Sequence, residues 1–188
     1  MAQTLRLRRG EMDDLDGLYA LATIPRVYRY LFDGEPPSRE YISQRLALRV
    51  SDSPNGCFGL WFLQDGPHHY AGCVELRPYE TPRTAEITWL LHPDFWGHGL
   101  ALRMAWSAIE SAFESGQADA VIAGADSPNT ASLALMRRLG MQFHRNVTYP
   151  LGSGAEYILH RDSAGPIPRP ESILVNGAVS YDTSKPNT

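Results

Sequence analysis

The chain has 188 residues, 43% of them hydrophobic, 20% charged and 10% aromatic, with a net charge of −4. That length suits one domain with a buried core, and the composition is that of a globular protein. Lys185 is the only lysine, no basic run interleaves with aromatics, and no apolar run is long enough to span a bilayer, so neither nucleic acid nor membrane is expected as a partner. The N-terminus lacks a signal-peptide core, and Cys57 and Cys73 form no C-x-x-C pair. A cytoplasmic protein with two reduced packing cysteines is the expectation.

In chain order, "LRLRRG" (5–10) alternates like an opening strand, and "MDDLDGLYALA" (12–22) spaces its apolar residues like a helix. "PPSREYISQRLALRV" (36–50) reads as a second helix, entered through proline with Ser38 as its cap. "CFGLWFLQ" (57–64) and "HYAGCVELR" (69–77) read as strands around an Asp65-Gly66-Pro67 turn, and "TAEITWLLH" (84–92) as a third. "GLALRMAWSAIESAFESG" (99–116) is the longest helical pattern, stopped by Gly116. A short buried strand (118–125), a helix (127–140) and two strands (141–149 and 155–161) follow. The order predicts a mixed α/β (α+β) domain with an antiparallel run over 57–92 and a βαβ unit across 84–125.

The turn "HPDFWGHGLA" (92–101) places Gly97 and Gly99 where a strand hands over to a helix. Helix N-termini present unpaired N–H groups and partial positive charge, and glycine lets an anion approach the main chain. The turn therefore reads either as a pyrophosphate cradle or as a plain tight turn. A dinucleotide fingerprint would need a third glycine where Leu102 stands, and a P-loop would need a Gly-Lys-Ser/Thr ending. His92, His98, His144 and His160 are scattered without ligand spacing, so no metal is expected.

"AEITWLLHPDFWGHGLA" followed by "SPNTASLALMRRLGMQF" resembles the GNAT superfamily of acyl-CoA-dependent N-acetyltransferases, most of all the branch containing the ribosomal-protein N-terminal acetyltransferases. The superfamily signature Gln/Arg-x-x-Gly-x-Gly/Ala stands here as Asp94-Phe95-Trp96-Gly97-His98-Gly99, with Asp94 departing from the usual first residue. Asn129-x-x-Ser132 and Leu139-Gly140-Met141 match the branch, methionine replacing a frequent phenylalanine. The resemblance spans about residues 4–161, the domain being bounded as 1–162. It implies a mostly antiparallel central sheet splayed into a V, with flanking helices and acetyl-CoA as acyl donor. Main-chain groups of Ile87, Thr88, Trp89, Leu90 and Leu91 would bond the pantetheine arm. N–H groups of Trp96, Gly97, His98, Gly99, Leu100 and Ala101 would hold the pyrophosphate, and Asn129 and Ser132 would reach the arm.

An amine must lose its proton before it attacks a thioester, which calls for a general base. Glu86 is the first choice, since the resemblance places it where related histone acetyltransferases carry their glutamate; Glu75 is second and Glu156 third. Paired with Arg77 or Arg83, Glu86 would instead be a strand-edge charge. Many superfamily members protonate the leaving thiolate with a tyrosine seven residues after the asparagine, a place held here by Met136. Ser132, one helical turn from Asn129, is the candidate instead, with Tyr149 and Tyr157 as alternatives. A silent acyl-CoA-binding module of the same fold is the competing reading.

The segment 23–41 would cover the acceptor side, with Tyr28, Tyr30 and Phe32 framing an amine, Glu75 beneath it, and Asp33 and Glu35 making the cleft mildly acidic. The acceptor would be a small-molecule amine or a protein N-terminus. After a proline-rich linker (163–171), Asn176-Gly177 between two β-favouring runs predicts a hairpin over 172–181, within an extension 172–188, docked on the main domain or on a second subunit of a homodimer.

Overall fold

The computed structural model describes residues 3–51, 56–64, 69–163 and 178–181. Eight strands form one sheet: β1 Gln3–Arg9, β2 Gly59–Gln64, β3 Tyr70–Pro78, β4 Thr84–Leu91, β5 Ala120–Asp126, β6 Gln142–Tyr149, β7 Gly152–His160 and β8 Ala178–Tyr181. Their order is β6-β7-β5-β4-β3-β2-β1-β8, and among the described residues only β4 and β5 run parallel. The helices are α1 Leu15–Ala22, the one-turn α2 Pro25–Tyr28, α3 Arg39–Ser51, α4 Leu100–Glu114 and α5 Thr130–Arg138.

Strand side chains alternate between faces, and every residue of β2 is buried, so both faces of the sheet are covered. Trp61 and Leu63 pack with α4, whereas Leu60 and Phe62 pack with α1 and α3. On α4, Leu100, Met104, Ala108, Ile109 and Ala112 recur at helical spacing and are buried on the first face. Full burial of one such aliphatic side chain contributes about 1.5–3 kcal/mol, and Ile109→Ala would cost about 2–5 kcal/mol.

Ends differ from expectation by small, explicable amounts. Ser38 caps α3 as expected, its hydroxyl accepting from the Tyr41 amide at 3.1 Å, and helical residues begin at Arg39. The pattern over 12–22 divides into a 3-10 turn, Met12–Asp14, and α1. Asp14 is buried against the Arg8 guanidinium and the Tyr70 hydroxyl, which fixes that turn. The expected Asp65-Gly66-Pro67 turn lies outside the described residues. So does most of the expected C-terminal hairpin; its last four residues form β8, which pairs antiparallel with β1 from Gln3↔Tyr181 to Arg6↔Ala178.

The β4–β5 ladder positions the site. Pairing runs only through Thr84↔Ala120, Ala85↔Val121 and Glu86↔Ile122. Beyond Glu86 the strands part, β5 staying paired to β7 as far as Asp126↔Gly154 and β4 staying paired to β3 as far as Leu91↔Gly72. A V-shaped gap opens between them, and among the described residues no strand pairs with β4 from Ile87 to Leu91 on that side.

Candidate active site

The gap is the mouth of a cleft of about 960 Å³. Residues 86–91 of β4 form one wall, Gly124–Asp126 and the first turns of α5 the other, and residues 29–33 with Tyr149–Leu151 a cover.

At the mouth, His92 caps a 3-10 turn, its Nδ1 accepting from the Asp94 amide at 3.2 Å. Trp96 ties the loop back to the strand end, its indole N–H donating to the Leu91 carbonyl at 2.8 Å, and the Arg26 guanidinium lies 4.5 Å over its ring. Gly97 (φ 80°) and Gly99 (φ 70°) both adopt left-handed backbone, which side chains with a Cβ rarely tolerate. Nothing lies within 4 Å of where a Gly97 Cβ would stand, so the approach to the main chain is clear. Gly99 is the N-cap of α4, and the first i→i−4 bond reaches only the Arg103 amide. The amides of Leu100, Ala101 and Leu102 therefore face the mouth unpaired by the helix, with no acid in the first turn and Arg26, Arg29 and Arg138 along the cleft. A phosphate-bearing ligand fits these donors.

Every expected cofactor residue lines the cleft except His98, which is half-buried off its wall. Asn129 is the N-cap of α5; its Oδ1 accepts from the Ser132 amide at 3.2 Å, leaving its NH₂ as the donor it has to offer. The Ser132 hydroxyl accepts from the Trp89 indole N–H at 3.3 Å, so its own proton is available to another acceptor. Met136 is fully buried in the core and has no part in the cleft.

The three expected carboxylates separate. Glu86 lines the cleft but is an ion pair with its registered neighbour Arg77 at 2.7 Å. Glu75 is absent from the wall of this cleft: it is 5% exposed, with Oε1 accepting from Arg49 at 2.6 Å and Oε2 from Arg45 at 3.0 Å. Burial alone would raise its carboxyl pKa, but the Arg45 charge and the Arg49 bond outweigh it and hold the group below the usual range. Glu156 is taken by Arg145 at 2.6 Å and Tyr79 at 3.2 Å and lies off the cleft wall.

Asp126 belongs to none of the sequence motifs above. It ends β5 within the cleft wall, is 7% exposed, and its Oδ1 has no hydrogen-bond partner among the described residues. Burial pushes its carboxyl above the ordinary value, only partly offset by a bond from its own backbone. The signal was an acid closing the otherwise apolar run "AVIAGAD". Nearby, the Tyr149 hydroxyl lies 2.0 Å from where a Gly124 Cβ would sit, so only glycine admits the ring. Burial, then the charges of Glu156, Glu86 and Asp126, push that phenol up to about 12, keeping it a donor at neutral pH. Tyr157 does not reach the cleft; it is buried and its hydroxyl accepts from Arg137 at 3.1 Å.

Tyr30 and Phe32 line the cleft as expected, but Tyr28 does not, because the α2 turn carries it off the wall. Asp33 lines it and Glu35 does not; with Asp33, Glu86 and Asp126 set against Arg26, Arg29 and Arg138, the lining is balanced in charge where a mildly acidic one was expected. Among the described residues no group of three or more His, Cys, Asp or Glu is placed to hold a metal, and no helix is long and apolar enough to cross a membrane. Cys57 and Cys73 are buried and unbridged.

A splayed mixed sheet with a glycine-lined helix N-terminus at its mouth defines an acyltransferase architecture. Residues 4–142 match the sequence profile of the acetyltransferase (GNAT) domain, and the chain belongs to that family. Its fold is shared with a GNAT-family acetyltransferase from Bacillus anthracis (18% identity, 86% of this chain and 98% of that one, TM-score 0.69). It is likewise shared with the spermidine N-acetyltransferase from Vibrio cholerae in complex with CoA and spermine (17% identity, 85% and 97% coverage, TM-score 0.71). A third similar structure is the ribosomal-protein-alanine N-acetyltransferase from Brucella melitensis (20% identity, 82% and 98% coverage, TM-score 0.67).

Proposed function

We propose that this chain is an acetyl-CoA-dependent N-acetyltransferase that passes the acetyl group directly to a primary amine, of a small molecule or a protein N-terminus. The single observation that carries the reading is the parting of β4 and β5 beyond Glu86, directly beside the Gly97/Gly99 cradle. The CoA bound by the Vibrio cholerae neighbour supports it.

When bound, acetyl-CoA supplies a thioester whose acyl carbon an amine can attack. The free β4 edge from Ile87 to Leu91 holds the pantetheine amides as a further strand would, and the amides of Leu100 to Leu102 hold the pyrophosphate. Glu86 takes the proton of the acceptor ammonium, with Asp126 in the opposite wall as the alternative base. As the carbon–sulfur bond breaks, the Ser132 hydroxyl would relay to the sulfur the proton that the attacking nitrogen sheds, and the indole bond from Trp89 to its oxygen strengthens it as a donor. Met136 in the core favours a second reading, a silent acyl-CoA-binding module without a strong acid.

The test is thiol release from acetyl-CoA over a panel of amines and N-terminal peptides, beside calorimetric titration of acetyl-CoA. Binding with turnover supports the enzyme; binding without turnover on any acceptor supports the silent module; absence of binding removes both.

A further inference from the structure

A second cavity of about 250 Å³ lies between α1, α3 and the sheet. It shares Leu31, Phe32, Asp33, Thr88 and Leu90 with the cleft, so the two spaces adjoin beside the β4 edge. Leu18, Ile42, Leu46, Leu60 and Cys73 make the rest of its wall largely apolar, and none of them is more than 6% exposed. Burial pushes the Cys73 thiol up, so that member stays uncharged and packs as a small hydrophobe. Away from the shared residues, the charged members of the lining are bonded to one another, Glu75 accepting from Arg49 at 2.6 Å and from Arg45 at 3.0 Å.

Size and lining together favour an apolar occupant. A dry cavity of about 150 Å³ lined by leucine, isoleucine and phenylalanine takes up benzene, and this one is larger. Its walls lack partner atoms across the void, and an apolar group would restore those dispersion contacts.

Position selects the occupant. On the acetyltransferase reading above, the pyrophosphate lies beyond the end of β4, so the pantetheine arm runs from Leu91 towards Glu86 and brings the acyl carbon beside the base. Thr88 stands two residues from Glu86 on the same face of β4, about 7 Å along the strand. It lines both spaces. Glu86, Asp126, Tyr149 and Ser132, the polar groups suited to the amine and the thiol, all line the cleft, and none lines the cavity. The amine therefore meets the acyl carbon from the cleft, and the substituent on that carbon has the cavity as its apolar neighbour.

We infer that this cavity receives the hydrocarbon tail of the acyl group, so that apolar acyl-CoA thioesters longer than acetyl-CoA, butyryl to hexanoyl, bind more tightly than acetyl-CoA and serve as donors. The inference rests on the acetyltransferase reading and widens its donor. The bonding change is the same for each donor. The amine nitrogen bonds to the acyl carbon, the carbon–sulfur bond breaks with its electron pair on sulfur, and the proton the nitrogen sheds ends on the thiol.

Calorimetric titration of the full chain with acetyl-, butyryl- and hexanoyl-CoA tests this, with succinyl-CoA as a donor whose tail is charged. Each methylene taken fully from water contributes about fourfold in affinity, so butyryl-CoA should lead acetyl-CoA by roughly fivefold or more and hexanoyl-CoA by roughly twentyfold or more. Thiol release with the acceptor that the amine panel identifies should show kcat/KM for a longer donor no lower than for acetyl-CoA. Leu46→Phe fills the cavity from α3 and should carry the hexanoyl-to-acetyl affinity ratio towards one. Should it fail to fold by melting, Cys73→Met fills the cavity from β3, and the ratio in the unaltered protein is already decisive. Equal or weaker binding of both longer thioesters, succinyl-CoA as the tightest donor, longer donors that bind without transfer while acetyl is transferred, or a ratio unmoved in a folded filled variant overturns the inference. So does a cavity that serves the acceptor, seen as a tenfold preference for hexylamine over ethylamine on acetyl-CoA-saturated protein with no chain-length effect in the donor. In all these cases acetyl-CoA still binds and the acetyltransferase reading stands; absence of binding by every CoA thioester removes both.

Discussion

Glu86 and Arg77 are registered partners across the β3–β4 ladder, and their side chains meet at 2.7 Å on the wall of the cleft. The carboxylate assigned to take the ammonium proton is therefore held in place by a fixed cation, whereas Asp126 in the opposite wall has an oxygen with no partner among the described residues. If Glu86 is the base, Glu86→Gln lowers kcat by roughly 10²–10⁴-fold and leaves acetyl-CoA affinity almost unchanged. Single-turnover rates and calorimetry read the two quantities. Near-normal turnover in a folded Glu86→Gln protein, with the loss appearing in Asp126→Asn, transfers the role to Asp126.

Asp126→Asn has an independent expectation in stability. Burial raises this carboxyl in the folded chain above its unfolded value, so the ionised form opposes folding at neutral pH, and that penalty fades as pH falls and the group protonates. The uncharged isostere should melt higher than the parent at pH 7 and converge with it towards about pH 4, near the ordinary carboxyl value. An equal or lower Tm at pH 7 would show that the carboxylate is satisfied in solution.

The cradle is tested at Gly99. A valine there must adopt φ near 70°, which costs about 1–3 kcal/mol in folding, and its methyl groups crowd the amides of the first α4 turn. Gly99→Val should weaken acetyl-CoA binding at least tenfold while circular dichroism shows the fold retained. Unchanged calorimetric affinity in the folded variant removes the pyrophosphate from this turn.

Glu75 acts in the opposite sense to Asp126. Its folded pKa is depressed by Arg45 and Arg49, so its contribution is full above the unfolded carboxyl pKa and disappears as pH falls through the folded value. Removing one member of a buried ion cluster costs about 3–5 kcal/mol, so Glu75→Gln should melt well below the parent at pH 7. The gap should begin to narrow below about pH 4, where the carboxyl of the unfolded chain takes up a proton, and go on narrowing as pH falls through the depressed folded value. A gap that stays constant down to pH 3 would mean that packing, not charge, holds the cluster.

What the sequence makes legible is local. The apolar positions of α4 repeat at helical spacing, and Gly116 and Gly140 both take positive φ just past their helices, as C-terminal stops do. The cradle is equally readable, because the Gly97 and Gly99 requirement belongs to one turn. Glu75 misleads for the converse reason: its partners Arg45 and Arg49 lie 30 and 26 residues away on another element, and no spacing rule brings them together. Asp126 is hidden likewise, its burial coming from the β7 pairing and a tyrosine ring admitted by glycines. Tyr28 ends the one-turn helix α2 and Tyr30 lies in the turn after it, a boundary the sequence does not record.

The last prediction concerns the C-terminal strand. β8 covers the outer edge of β1, whose backbone would otherwise present unpaired N–H and C=O groups, and such an edge invites pairing with another chain. The pairing joins residues 3–6 and 178–181 in one ladder, Gln3↔Tyr181 to Arg6↔Ala178. Four edge-strand residues carry modest free energy, so truncation after Asp162 should lower Tm by about 2–4 °C for each kcal/mol lost in a chain of this size. The exposed β1 edge should also raise the average mass seen by light scattering as concentration increases. Amide exchange at residues 178–181 supplies the direct reading, with protection expected in the full chain. Unchanged melting and mass on truncation, together with free exchange at those four amides, would show that the strand does not dock in solution.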